Sequence, residues 1–308
     1  MFAAPAEIAT EVFTRMPERW QSPARSSEWI RLQRRGVPIG SFIEGPSFDR
    51  SGNLWIVDIP FGRVFRIDAQ GSWDLVAEYD GEPNGLKIHR DGRIFIADHK
   101  QGILLLDPQR GTVESVCDRP RLERFKGVND LVFASNGDLY FTDQGQTGLQ
   151  DATGRVFRLT AGGALELLMG GIPSPNGIVL DSAEGSIYVA VTRANAVWRL
   201  PLLTSGYPSK VGLFIQMSGG IGPDGMAADE AGNLAVCHPG MGSVWLFSQA
   251  GEPLYRMRSC AADFPTNCAY GGYGGRTLFI TESHSGTILK AAMPVAGRAM
   301  YSHQPAET

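Results

Sequence analysis

The 308-residue chain has little that would carry it into a membrane, an oxidising compartment or onto nucleic acid. No apolar run approaches the roughly 18 residues of a membrane-spanning helix. The N-terminus has no extended apolar stretch of the kind that marks a secretory leader. Charge is nearly balanced, 28 Lys and Arg against 32 Asp and Glu, and a net charge of −4 denies the chain a basic nucleic-acid footprint. The one basic cluster, Arg25, Arg31, Arg34 and Arg35, reads as a solvated edge. Four cysteines, Cys117, Cys237, Cys260 and Cys268, show no CxxC spacing. Reduced thiols in a soluble cytoplasmic protein are the expectation, with a Cys260–Cys268 disulfide as the alternative. HExxH, Walker and GxSxG motifs are absent. Gly220–Gly225 formally match GxGxxG but precede a strand instead of linking a strand to a helix, so the dinucleotide reading fails its context. Helical periodicity is weak throughout.

Glycine is abundant, at 38 residues, and it punctuates a repeat. Six short polar signatures recur: Glu44-Gly45-Pro46, Pro83-Asn84-Gly85, Val128-Asn129-Asp130, Pro175-Asn176-Gly177, Pro223-Asp224-Gly225 and Thr266-Asn267-Cys268. Each opens a strand-like run, and a Gly-containing turn then leads to a second, strongly apolar one. Examples are Leu54–Asp58, Ile94–Asp98 and Leu278–Glu282, whose β-branched and aromatic residues suit strands. Third runs follow in all six units and fourth runs in the first five. A period of roughly 40–50 residues with strands in every unit indicates a propeller or solenoid, and four antiparallel strands per unit indicate propeller blades.

The sixth unit lacks a fourth strand, because only a polar tail, residues 294–308, follows it. Residues 1–40 hold strand-like stretches, Glu11–Arg15 and Trp29–Leu32, that can supply it and remove an open edge. The expectation is an all-β, six-bladed propeller of four-stranded antiparallel blades, its last blade closed by an N-terminal strand. Residues 1–308 then form a single domain.

In a propeller, equivalent positions of successive blades face one axis. The central residues of the six signatures, all carboxylates or amides, should therefore converge. Each alone is an ordinary turn sequence; the shared register makes the case. Glu44 has little turn value and on the axis would be a costly buried charge unless paired or metal-bound. With Asp224, Asn129 and Asn176 it makes an all-oxygen set. Such a set suits Ca²⁺ first; Mg²⁺, Mn²⁺, Fe²⁺ or Zn²⁺ are also accommodated, although zinc more often recruits His or Cys. Strand direction puts the second-strand ends on the same face. Asp58, His99, Asp143, Arg193, His238, and Glu282 with His284, are expected to ring the mouth, and Arg193 suits an anionic or polyhydroxylated substrate.

At these residues the chain resembles the senescence-marker/gluconolactonase family, which includes regucalcin and bacterial lactonases. The resemblance runs from about residue 40 to 292 and rests on Ile43–Asp49, Val128–Val132, Pro175–Ile178 and Gly222–Leu234. It implies a six-bladed propeller with one divalent cation held by Glu44, Asn129, Asn176 and Asp224. Asn84 and Asn267, in register but less firmly ligands, become pocket or water-mediated groups. The implied chemistry is hydrolysis of a small lactone whose carbonyl is polarised by the ion, with Asp224 as general base. Asn129, Asn84, Arg193, His238, Asn267 and His99 would contact substrate. The alternatives are a diisopropylfluorophosphatase-like hydrolase of phosphorus esters and a non-enzymatic propeller that binds metal or a small molecule. A strictosidine-synthase-like propeller is a third, whose axis does not call for this carboxylate–amide set.

Overall fold

The computed structural model describes residues 4–304. Six antiparallel sheets stand round an axis as the blades of a β-propeller. The inner strands are Ile43–Phe48, Pro83–Ile88, Val128–Phe133, Pro175–Leu180, Met226–Ala228 and Pro265–Gly271. From each, three further strands step outward in sequence order, except in the sixth blade. There the outer strand is Glu11–Arg15, paired antiparallel with Thr287–Ala292 in the register Glu11↔Lys290. A second N-terminal strand, Ala6–Ala9, adds in parallel to Pro253–Arg258 of blade five. The N-terminus thus spans the seam between the last two blades.

Alternation along each strand sends one row of apolar side chains to each neighbouring blade, so the core consists of clusters between blades. Val57, Val64, Leu86 and Ile96 pack blade one on blade two. Val128 and Phe141 meet Ala97 and Ile103 between blades two and three. Val244 and Leu246 meet Leu278 and Ile280 between blades five and six. Each such aliphatic side chain contributes about 1.5–3 kcal/mol on burial, and the sum holds the ring closed.

Two expectations for the chain ends change. Trp29–Leu32 is not a strand: Glu28–Gln33 forms a short α-helix, α1. Ser27 Oγ caps it by accepting from Ile30 N at 3.2 Å. Adjacent Trp29 and Ile30 are both buried, against Ile59 and Phe61, while Leu32 is exposed. That burial is the stripe of a helix, not the alternation of a strand. Residues 294–304 of the polar tail form a strap across the face opposite the pocket described below. Gly297 N donates to Gly275 O in blade six, Arg298 N to Ala228 O in blade five, and Ser302 Oγ to Phe48 O in blade one. Tyr301 stacks on Phe133 of blade three with centroids 5.0 Å apart. Beneath the strap lies a cavity walled by inner-strand residues such as Ile88, Leu180 and Ala269. Among the described residues no helix is long and apolar enough to cross a membrane. All four cysteines are free; Cys260 is exposed while Cys268 is buried, so the disulfide alternative is not formed.

Candidate metal centre and pocket

Each inner strand is irregular where its signature sits. Register shifts fall between Glu44 and Ser47, Pro83 and Gly85, Val128 and Leu131, Pro175 and Ile178, and Pro265 and Asn267. A bulge re-aims a side chain out of the pleat. In blade five the signature precedes the regular strand, but the ladder continues: Asp224 N donates to Cys237 O at 2.9 Å and Cys237 N to Gly225 O at 3.0 Å. The glycines of the signatures answer the crowding at the axis. A Cβ on Gly177 would sit 2.9 Å from Gly225 Cα and would also clash with Asp224 O. A Cβ on Gly225 would overlap the side-chain amide of Asn267.

Glu44, Asn84, Asn129, Asn176 and Asp224 converge on the floor of one pocket of ≈ 620 Å³, open mouth included. His99 and Arg193 stand in its wall. Asn267 lies outside the lining: its Nδ2 donates to Glu44 Oε2 at 3.0 Å from behind. His238 is also outside it, with Nε2 at 3.0 Å from Gly219 O, in the loop that leads to Asp224.

The floor is electrostatically incomplete. Burial pushes the Glu44 carboxyl up to about 8, against the lowering effect of the Gly45 N–H and Asn267. Asp224 opens onto the pocket but is otherwise enclosed by protein. Its carboxyl is raised well above the ordinary range by burial, then by Glu44 and Asp130, against the opposing effects of Asn176 and Arg193. Asn129 Oδ1 is buried with no hydrogen-bond partner. Two crowded carboxylates and an orphaned amide oxygen are what a hard cation would satisfy. Among the described residues no three His, Cys, Asp or Glu side chains cluster as metal ligands, so any cation here needs the amides.

Several contributors were not read from the sequence. Asp130, beside Asn129, is a third buried carboxylate near the axis, with Lys87 Nζ 3.9 Å from its Oδ1. Its adjacency to Asn129 was a visible signal. Trp29, Gln33, Phe42, Gln144, Ile221 and Phe264 also line the pocket, and they lie in helix or loop segments outside the repeat. Gln146 bridges three of the polar groups: it accepts from Gln33 Nε2, donates to Gln144 Oε1 at 2.9 Å and contacts His99 Nε2. Burial pushes His99 down to about 4 despite the Gln146 bond, so the ring is neutral at physiological pH.

The acidic second-strand ends do not ring the mouth. They turn back as staples for the loops that enter each blade. Asp58 accepts from Phe42 N at 2.7 Å and from Arg63 Nε at 2.8 Å. Asp98 accepts from Glu82 N and the Tyr79 hydroxyl, both at 2.9 Å. Asp143 accepts from Lys126 N at 2.7 Å, and Glu282 from Phe264 N at 3.0 Å. Loop amides need acceptors once buried, and these carboxylates are the nearest ones.

Residues 42–284 match the SMP-30/gluconolactonase/LRE-like region. The chain belongs to that family. It is 32% identical over 275 residues to a gluconolactonase of Zymomonas mobilis, covering 79% of this chain and 76% of the relative. It is 27% identical over 247 residues to the lactonase drp35 of Staphylococcus saprophyticus, covering 76% and 74%. Among solved structures, regucalcin of Agrobacterium tumefaciens, described as calcium-binding, superposes with a TM-score of 0.78 at 20% identity, over 98% of this chain and 100% of that one. These matches account for the propeller. Helix α1, with Trp29 and Gln33, lies before the segment that defines the SMP-30/gluconolactonase/LRE-like family.

Proposed function

We propose that this chain is a metal-dependent lactonase that opens a small cyclic ester. The observation that carries the reading is the pocket floor: Glu44 and Asp224 crowd together with the unpartnered Asn129 Oδ1 at the base of an open pocket. Support comes from the relatives named gluconolactonase and lactonase.

Glu44, Asn129, Asn176 and Asp224 would hold one divalent ion, Ca²⁺ in the first instance. When bound, the ion would supply Lewis-acid polarisation of the ester carbonyl and stabilise the developing oxyanion. Asp224 faces the pocket and is the group to orient a water and take its proton. Its ionisation at neutral pH depends on compensation of Glu44, because two carboxylates in one buried site resist ionising together. Asn176 stands beside Asp224 and favours its charged form. Asn267 restrains Glu44 from behind, and the Gly45 N–H donates to Glu44 Oε2 at 2.8 Å. Asn84, Asn129, His99 and Arg193, which line the pocket, would orient the substrate.

The test is a panel of lactones, with an organophosphate beside it, followed by proton release with chelator and with added dications. Lactone opening that chelation abolishes and Ca²⁺ restores is expected. Turnover indifferent to metal would remove the site, and turnover of the phosphorus ester alone would replace the substrate class.

A further inference from the structure

The register that brings the six signatures to the axis continues three residues further along each inner strand. Ser47, Lys87, Val132, Val179, Ala227 and Tyr270 stand at that spacing from the signature residues, and all six line the cavity beneath the C-terminal strap. The cavity therefore occupies the axis on the far side of the carboxylate–amide floor. It encloses ≈ 780 Å³, its opening included, a size in the range of small-molecule sites. Its walls are mainly apolar, and no carboxylate is among them.

The polar groups of this ring are short of acceptors. Lys87 Nζ donates no hydrogen bond among the described residues; its partner is Asp130 Oδ1 at 3.9 Å, beyond hydrogen-bond reach. Its side chain is only 23% exposed. An ammonium carries three donors, and leaving them unmade beside apolar walls is costly. The Ser47 hydroxyl, in a residue 1% exposed, donates to the Met300 thioether of the strap at 3.8 Å, a weak acceptor. The Tyr270 hydroxyl is buried with no hydrogen-bond partner. Arg298, the other cation at the wall, is already engaged: it donates to Leu180 O at 3.1 Å, Asp181 O at 2.7 Å and Glu184 Oε1 at 2.6 Å.

We propose that this cavity is a second ligand site, separate from the axial pocket, for a small apolar monocarboxylate. The carboxylate accepts from Lys87 and Ser47, and the apolar body lies against Val132, Val179, Ala227 and Met300. Asp130 is not part of the lining, so an acceptor can approach the ammonium from the cavity side. A neutral molecule of the same shape forgoes the charge-assisted hydrogen bonds that Lys87 offers. A polyhydroxylated acid would place its hydroxyls on the apolar walls, where unpaired polar groups are penalised.

The probe is octanoate, with octanamide as its uncharged match, added to the full chain after chelation so that no metal ion can hold the carboxylate. Calorimetry should show octanoate binding about tenfold or more tighter than octanamide, as expected of hydrogen bonds to a charged donor. Lys87→Gln should bring octanoate down to the level of octanamide and leave octanamide unchanged. In the parent protein with isotope-labelled methionine methyl groups, NMR should show octanoate shifting Met226 and Met300, which line the cavity. That measurement stands even where Lys87→Gln fails to fold. Binding of neither compound, equal binding of the two, a folded Lys87→Gln protein that keeps the preference, or methyl shifts that spare Met226 and Met300 overturns the inference.

Discussion

Asn267 donates from Nδ2 to Glu44 Oε2 over 3.0 Å and so joins the sixth blade to the first at the axis. The two residues are 223 positions apart in the chain. Replacing Asn267 by Leu keeps the volume and removes the donor. Glu44 then loses a partner in a buried site, at a cost of about 1–3 kcal/mol. Equilibrium denaturation should show that loss, and calorimetry should show weaker Ca²⁺ binding. Unchanged affinity would mean that Asn267 does not restrain Glu44.

Gly177 and Gly225 mark how closely inner strands approach. Gly177→Ala places a methyl group against the backbone of Asp224 and Gly225. Overpacking of this kind costs about 1–3 kcal/mol, and here it displaces the proposed base. Turnover should fall further than the shift in melting temperature accounts for; a stable variant with full activity would contradict it.

Asp224→Asn keeps the shape of the side chain and removes its charge. Loss of a positioned general base lowers turnover by about 10²–10⁴-fold. Steady-state kinetics at saturating Ca²⁺ checks this, with calorimetry showing whether the ion is still bound. A metal-loaded Asp224→Asn protein with near-normal kcat would exclude Asp224 as base.

Asp58 and Arg63 form a buried ion pair that also holds the Phe42 amide. Arg63→Met strands the Asp58 carboxylate, whose pKa burial already raises. Removing one member of a buried pair costs about 3–5 kcal/mol. The double variant Arg63→Met/Asp58→Asn should recover part of that loss, and a thermal melt of all four proteins closes the cycle.

Two groups beside the pocket titrate in opposite senses. Burial, then Asp98, pushes Glu82 up to about 7 from an ordinary 4.5. The folded state therefore binds its proton more tightly, and the stability associated with it is complete below about pH 4.5 and lost as pH rises through 7. His99 is pushed down to about 4 from 6.5 by burial. Its contribution is complete above about pH 6.5 and lost as pH falls through 4. In denaturation midpoints across pH, Glu82→Gln should gain on the parent between about pH 5 and 8. His99→Asn should lose less than the parent between about pH 6.5 and 4. Parallel curves would contradict both assignments.

The ring was legible because its signals are local. Leu54–Asp58 is a short apolar run of β-branched and aromatic character, and the turn before it is written in adjacent Gly and Asn. Glu11–Arg15 closes blade six as the strand pattern and the missing fourth strand require. The axis was legible for the same reason, since one register repeated six times brings Glu44, Asn84, Asn129, Asn176 and Asp224 together. Trp29 misled, because four residues of mixed character fit a strand as well as a helix until the surface they pack on is known. Asp58, Asp143 and Glu282 sit at the expected ends of their strands, yet each finds a loop amide closer than the pocket.

The sequence by itself determined six blades, their closure and the carboxylate–amide axis, because hairpins and strand alternation are decided by neighbours in the chain. Only the tertiary structure decided which polar groups face the pocket, which staple loops, and that α1 and the C-terminal strap cover opposite ends of the ring. Those outcomes rest on contacts such as Gln33 with Gln146 or Ser302 with Phe48. Side chains far apart in sequence choose their partners only once the blades have brought them within hydrogen-bonding distance.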